Sequence, residues 1–202
     1  MKNNLLNPYV RGLADGAKRS QHIDARLMKT PSVEPDVGMF LEFFTRSAKP
    51  ANILELGCGI GVSTTYLSSG APDAEITAVD YNKSRLDYAS ESFVENNKVN
   101  FVFSDVIQFL KDDNSKFDLI FVDSMKKQYP IVFYYAFQKL NNGGTIIFDD
   151  MFMYGEIFKQ DCEIPIKYLS VVRVLRSFIN NIKHNYKHTL LPIGSGVLLV
   201  SK

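Results

Sequence analysis

Three aspartates stand where a folded chain could gather them. Asp123 closes the apolar run Phe121-Val122-Asp123, and Asp149 and Asp150 close Ile146-Ile147-Phe148-Asp149-Asp150. If these runs are neighbouring parallel strands, their carboxyl ends share one sheet edge and the three carboxylates share a cleft. Carboxylates so placed repel unless they are protonated or bridged by a cation. All-oxygen ligation suits Mg²⁺, Mn²⁺ or Ca²⁺ rather than zinc, so Asp123, Asp149 and Asp150 are candidate ligands of a divalent metal. A second constellation lies upstream. Ile53-Leu54-Glu55-Leu56-Gly57-Cys58-Gly59-Ile60-Gly61 reads as a strand entering a glycine-rich turn that opens a helix. Asp80 ends the next apolar run, where a carboxylate can accept both hydrogen bonds of a ribose diol. Together they point to a nucleoside-containing cofactor. A dinucleotide fingerprint needs glycine at the sixth loop position, which here is Val62, so a pyrophosphate on this helix is not expected.

The elements that must position these residues follow from the apolar pattern. Candidate strands are Asn52–Leu56, Glu75–Asp80, Val99–Ser104, Phe117–Asp123, Thr145–Asp149 and Gly196–Ser201, with Lys187–Leu191 as a weaker seventh. The first five carry Ile, Val, Leu or Phe on both faces, as strands covered on two sides do. Helical periodicity marks Val62–Ser69, Ser84–Asn96, Val106–Lys111 and Pro130–Leu140 between them. Pro35–Ser47 reads as an amphipathic helix stopped by Pro50, and residues 1–34 as a short helix around Tyr9–Lys18 followed by a Pro-punctuated loop. Asn141-Asn142-Gly143-Gly144 reads as a turn before the fifth strand. Alternation of this kind predicts an α/β, doubly wound, mostly parallel seven-stranded sheet of Rossmann-like type, with a helical extension over residues 1–50. The whole chain, 1–202, reads as a single domain.

Composition bounds the function. The 202 residues are 46% apolar and 22% charged, with 23 Lys+Arg against 22 Asp+Glu. That balance argues against a wholly basic nucleic-acid coat or an acidic disordered tail. No apolar run reaches a membrane-spanning length, and Met1–Ser20 lacks a signal-peptide core. Two cysteines, Cys58 and Cys162, make no disulfide framework, so a cytoplasmic setting is expected. The net charge of +1 hides a pattern: residues 1–50 have 8 basic and 5 acidic side chains, 51–158 have 8 and 15, and 159–202 have 7 and 2. An acidic centre that holds a cation, flanked by basic surface, is the functional reading; solvated helix faces are the bland one.

The pattern Glu55-x-Gly57-x-Gly59-x-Gly61 resembles motif I of the class I S-adenosylmethionine-dependent methyltransferases. The resemblance implies that Gly57 and Gly59 line the cofactor, that Asp80 takes its ribose hydroxyls, and that Ser63 bonds its carboxylate. It further implies that Glu55 acts through its backbone and a water near the ammonium group, and that Asp105 contacts adenine. Asp123-x-x-Lys126-x-x-Tyr129, followed by Asp149-Asp150, Phe152-x-x-Gly155-x-Ile157 and Leu191-Pro192-x-Gly194-Ser195-Gly196, is similar to the cation-dependent catechol and caffeoyl-CoA O-methyltransferase-like family. That likeness runs from about Pro31 to Lys202. It implies that Asp123, Asp149 and Asp150 bind the metal, with Asp123 also beside the cofactor, and that Lys126 is the general base. The chemistry is consistent: methyl transfer from a sulfonium needs an aligned oxyanion, a divalent ion lowers the acceptor's pKa, and a partly desolvated lysine beside a metal can have a depressed pKa and accept the proton. Three positions depart from the family: Asp150 replaces the usual asparagine, Val62 replaces a tyrosine, and Ser195 stands where aspartate is common.

The acceptor is expected to be a small hydroxylated molecule of catechol type, met by loops at residues 1–34 and Met151–Ile164, where Phe152, Tyr154 and Phe158 could stack on a planar ring. The alternative is tRNA, as in the similar tRNA 5-hydroxyuridine methyltransferases, with Lys159, Lys167, Arg173, Arg176, Lys183 and Lys187 contacting phosphates. A nucleotide-binding oxidoreductase or a non-catalytic cofactor-binding module is the further alternative. His22, His184 and His188 are read as surface or core residues. The stripe Ile166, Leu169, Val172, Leu175, Ile179 and Ile182 reads as intrachain core or as the interface of a homodimer, the assembly expected for the chain.

Overall fold

Leu54 and Leu56 alternate with Ile53, and Ile120 and Val122 alternate with Leu119 and Phe121. Successive strand side chains point to opposite faces, so such strands need a cover on both sides. The computed structural model, which describes residues 12, 13 and 16–202, provides it. Strands β1 (Asn52–Leu56), β2 (Glu75–Asp80), β3 (Val99–Phe103), β4 (Phe117–Val122), β5 (Leu140–Phe148), β6 (Lys187–Leu191) and β7 (Val197–Ser201) form one sheet in the order β3-β2-β1-β4-β5-β7-β6. The β1–β2, β1–β4, β2–β3 and β4–β5 pairs are parallel, and β7 pairs antiparallel with β5 and β6.

Helices cover both faces. On one side α1 (Gly16–Leu27), α2 (Pro35–Ala48) and α3 (Val62–Gly70) bury Ala25, Val37, Leu41, Tyr66 and Leu67 against Ile53, Leu119, Phe121 and Ile147. On the other, α5 (Val106–Asp112), α6 (Tyr129–Lys139) and α7 (Ile166–Asn185) bury Leu110, Val132, Phe133, Leu175 and Phe178 against Leu54, Val122, Ile146 and Phe148. Helix α4 (Lys83–Ser92) joins β2 to β3 and is capped by Asn82, whose side chain accepts the Arg85 N–H. The stripe on α7 is therefore intrachain core at Val172, Leu175 and Ile182, with Phe178 buried beside it, while Ile166 at its start is exposed.

Two stretches differ from the sequence reading. Of the Tyr9–Lys18 helix, residues 12, 13 and 16–18 are described and helical, the rest lying outside the described residues, and residues 19–27, read as loop, continue the helix. Its anchors are polar, which apolar periodicity does not register: Lys18 pairs with Glu42 at 2.6 Å, His22 meets the Tyr66 hydroxyl at 3.1 Å, and Asp24 accepts from Tyr88 at 3.0 Å. Asn141–Gly144, read as a turn, belongs to β5, whose register against β4 shifts between Phe117 and Leu119. Lys202 keeps this stretch paired by accepting from the Gly143 N–H and donating to the Gly144 carbonyl. Among the described residues no helix is long and apolar enough to cross a membrane.

Phe178 packs edge-on against Phe133 and Phe148, with ring centroids 5.7 and 5.2 Å away. Phe178→Ala is expected to destabilise the chain by about 3–5 kcal/mol through the cavity left at this junction; urea unfolding, with the slope unchanged, checks it.

Candidate active site

The carboxyl edge of the sheet is assembled by backbone contacts first. The Asp123 N–H donates to the Leu56 carbonyl at 3.0 Å and the Asp149 N–H to the Val122 carbonyl at 3.1 Å, so the parallel ladder continues one residue beyond each strand. Gly57, at φ 99°, lies so close to the Asp123 carbonyl that any Cβ there would collide with it. Only glycine meets both the left-handed backbone and the missing space. The glycine loop and the aspartate cluster are thereby held against each other.

Asp80 is buried and uses both oxygens on backbone: Oδ2 accepts from the Gly59 N–H at 2.9 Å and Oδ1 from the Asn82 N–H at 2.8 Å. It braces the glycine loop, and a carboxylate with about four lone-pair sites keeps capacity for a diol. The neighbouring Tyr81 and the register partner of Asp80, Phe103, are exposed apolar surfaces at the same edge. Asp105 sits at the end of β3 as the N-cap of α5, accepting from Ile107 and Gln108 at 2.9 and 3.1 Å.

Glu55 and Ser63 meet each other. The Ser63 hydroxyl donates to Glu55 Oε1 at 2.5 Å and the Thr64 hydroxyl to Oε2 at 2.6 Å, so both Glu55 oxygens are met by protein hydroxyls. Thr64, which sequence reasoning passed over, completes this buried triad. Burial pushes the Glu55 carboxyl up to about 7, against the lowering effect of the two hydroxyls.

The acidic cluster converges on Lys126. Its Nζ donates to Asp123 Oδ1 at 2.7 Å and lies 2.9 Å from Asp150 Oδ2. Burial opposes the ammonium charge, but Tyr129, Asp123 and Asp150 outweigh it and hold Lys126 well above the usual lysine range. Without a cation beside it, Lys126 is thus an ammonium, because two carboxylates hold the proton in place. Asp149 is the most enclosed of the three; burial and then the charges of Asp123 and Asp150 push its carboxyl well above the usual carboxylate range. Asp150 is raised by burial in spite of Lys126. Its backbone is left-handed, φ 58°, a conformation that Asp and Asn accept more readily than other side-chain-bearing residues, so asparagine and aspartate are interchangeable there as far as the backbone is concerned.

Among the described residues no three His, Cys, Asp or Glu side chains already stand as a cage for a metal ion. Lys126 Nζ lies within 2.9 Å of both Asp123 and Asp150. The donor chemistry nonetheless fits a hard divalent cation: three aspartates and one lysine line a pocket of about 80 Å³, leaving an excess of negative charge.

Several supporting residues carried no strong sequence signal. Tyr129, read as helix packing, does pack on Phe148, but its hydroxyl also donates to the Asp149 carbonyl at 3.0 Å. Ser195 Oγ accepts from the Tyr154 N–H at 2.7 Å, and its carbonyl accepts from the Phe152 N–H. Met153, Tyr154 and Gly155 all have positive φ, and this turn brings Tyr154 into the lining of the catalytic pocket. Arg176 donates to the Ile157 carbonyl and pairs with Asp161 at 2.6 Å; Arg173 also takes Asp161, at 2.8 Å, and Lys159 takes Glu156 at 2.7 Å. Half of the six basic residues considered for tRNA phosphates are therefore engaged in pinning the loop that carries Tyr154. His184 and His188 are exposed and bond backbone carbonyls, and Cys58 and Cys162 are both free thiols.

Because Glu55 holds its proton to about 7 in the fold and to about 4.5 when unfolded, the unfolded chain binds fewer protons between those values. Stability is therefore expected to fall by roughly 3 kcal/mol as pH rises from about 4.5 to 7 through this group alone, and to level off above it. The difference in melting temperature between Glu55→Gln and the parent chain, followed from pH 5 to 8, should shift in favour of the variant as pH rises.

Comparison with known proteins gives the family of the chain. Residues 13–202 match the family model described as O-methyltransferase. Tapetum-specific methyltransferase 1 of Arabidopsis thaliana is 27% identical over 142 residues, which is 66% of this chain and 60% of that protein. Caffeoyl-CoA O-methyltransferase of Populus kitakamiensis is 28% identical over 181 residues, 83% of this chain and 77% of that protein. The crystal structure of the O-methyltransferase TomG from Streptomyces achromogenes, involved in tomaymycin synthesis and solved in complex with SAM, superposes with a TM-score of 0.83 over all of both chains at 21% identity. With the glycine loop, the carboxylate edge and this match spanning nearly every residue, the chain belongs to the O-methyltransferase family.

Proposed function

We propose that this chain moves the methyl group of S-adenosylmethionine to a hydroxyl oxygen of a small catechol-like acceptor, assisted by a divalent cation. The observation that carries the reading is the convergence of Asp123, Lys126, Asp149, Asp150 and Tyr154 on one small pocket that Gly57 holds against the glycine loop. An electrophilic methyl on the glycine-loop side and a hydroxyl on the aspartate side meet across that contact. The complex of TomG with SAM supports the choice of cofactor, and the curated relative's name supports an oxygen acceptor of phenolic type.

Asp80 and the amides of Gly57 and Gly59 would hold the cofactor, with Tyr81 and Phe103 as apolar edge surface. Asp123, Asp149 and Asp150 would hold the cation. When bound, the cation supplies Lewis acidity that lowers the acceptor hydroxyl's pKa and fixes its direction. In the transfer step the C–S bond of the sulfonium breaks, its electron pair goes to sulfur, and the acceptor oxygen forms the new O–C bond in line. The hydroxyl proton goes to Lys126. In the described structure Lys126 is an ammonium held by Asp123 and Asp150; with those carboxylates turned to a cation it would lose the partners that keep it protonated, release its proton to solvent, and as the neutral amine take the hydroxyl's proton. Tyr154 closes the acceptor side. A small acceptor is favoured over tRNA because Lys159, Arg173 and Arg176 are already paired within the chain.

Labelled S-adenosylmethionine with Mg²⁺, offered to a catechol panel and to total tRNA, tests the reading. Methyl incorporation into a catechol and its loss in excess chelator are the expected results; full activity in chelator would refute the cation's role. Lys126→Ala is expected to lower kcat by about 10²–10⁴-fold while cofactor affinity changes by no more than about threefold. A loss confined to KM would instead make Lys126 a binding residue.

A further inference from the structure

Both oxygens of Asp80 hold backbone on which helix α1 rests. Oδ2 takes the Gly59 N–H at 2.9 Å and Oδ1 the Asn82 N–H at 2.8 Å. Gly59 lies against the segment that leaves α1: a Cβ there would stand 3.5 Å from Thr30 Cγ2 and 3.8 Å from the Pro31 carbonyl oxygen. Asn82 caps α4 by accepting the Arg85 N–H at 3.1 Å. One turn and a half further on, Tyr88 donates its hydroxyl to Asp24 Oδ2 on α1 at 3.0 Å. These contacts close a ring through Asp80, Gly59, Thr30, Asp24, Tyr88 and Asn82. Helix α1 is otherwise lightly fastened. Ala25 is buried, but Ile23 and Leu27 are exposed, and much of the attachment is polar. Segments with few buried apolar contacts open at low cost, so a single hydrogen bond can move the docked population measurably. The helix also forms one wall of a cavity of about 390 Å³ that shares Ser32 and Glu34 with the aspartate pocket.

We propose that Tyr88 is a positioning residue that couples α1 to the cofactor site, so that α1 docks fully only when that site is occupied. A diol donating to the remaining lone pairs of Asp80 fixes the carboxylate, and with it the Gly59 and Asn82 amides that the carboxylate holds. Gly59 steadies the Thr30 end of α1, and Asn82 steadies α4, from which the Tyr88–Asp24 hydrogen bond reaches the middle of α1. The two states are α1 docked and α1 loosened, and by linkage docking and cofactor binding favour each other by one and the same factor. The coupling rests on the S-adenosylmethionine reading above and not on the identity of the methyl acceptor.

Hydrogen exchange of the full chain, followed by mass spectrometry with and without saturating S-adenosylhomocysteine, tests it. In the parent chain the ligand should slow exchange in α1 by about fivefold or more. In Tyr88→Phe and in Asp24→Ala that slowing should largely vanish, while the glycine loop, residues 57–63, stays protected by the ligand. Asp24→Asn, whose amide oxygen still accepts the phenol proton, should keep it. Calorimetry should find S-adenosylhomocysteine bound more weakly by Tyr88→Phe, by no more than the factor lost from α1. Ligand-induced slowing unchanged in both Tyr88→Phe and Asp24→Ala would overturn the proposal. Exchange in α1 that rises equally with and without ligand in Tyr88→Phe would make the tyrosine a plain structural contact and overturn it too. The two readings fail separately. A parent chain that does not bind S-adenosylhomocysteine defeats the cofactor reading, and the coupling with it; ligand bound while α1 is unresponsive defeats the coupling alone.

Discussion

Three carboxylates enclosed with one ammonium are the constraint around which the chain is arranged. In water such charges would be screened and would drift apart; behind the strand ends they cannot. Asp123 and Asp149 are each delivered by a strand whose ladder continues to that very residue, and Asp150 follows with its N–H on the Asp149 carboxylate, so relief by movement would break these hydrogen bonds. Relief must come from protons or from cations. Lys126 supplies one positive charge, Asp149 is pushed toward its protonated form, and the remaining deficit makes the pocket a place where a hard cation gains more than it would at an exposed acidic surface.

Rigidity at this edge is layered. Apolar side chains on both sheet faces fix the strand ends, and Tyr129 ties the Asp149 carbonyl to α6. Farther out, the connection after β5 has little core of its own. It is held instead by Ser195 from the loop before β7 and by Arg173 and Arg176 from α7. Three consecutive positive φ values make that turn unusual, and turns of this kind persist only where their surroundings over-determine them. The loop can therefore vary in sequence at its exposed face, where Tyr154 and Phe158 stand, without loosening the aspartates beneath.

The sheet was legible in the sequence because its signal is apolar alternation, which survives without knowledge of partners. The strand ends at Leu56, Asp80 and Val122 fall at or within one residue of where the pattern places them. What was not legible depends on contacts between distant polar groups. Helix α1 rests on Lys18–Glu42 and His22–Tyr66, and no local window reports those. Ser63 is the second residue of a helix and meets Glu55 from the strand before, a geometry visible only after folding. Lys126 was singled out through the family pattern three residues after Asp123, and the structure places it against that aspartate. The pattern says nothing about Asp150, which reaches the same nitrogen from the end of the next strand.

That last contact bears on the departure from the family's usual asparagine. An asparagine at 150 could keep the left-handed backbone and offer an oxygen, yet it could not pair ionically with Lys126. With aspartate there, the lysine gains a second ionic partner, and any cation entering the pocket must take two carboxylates from an ammonium instead of one. On the proposed function, the step that fills the metal position would also release the lysine to act as a base, so proton acceptance and cation binding would be linked through shared ligands. Under that proposal a single added charge would couple two functions that a neutral side chain leaves more nearly independent.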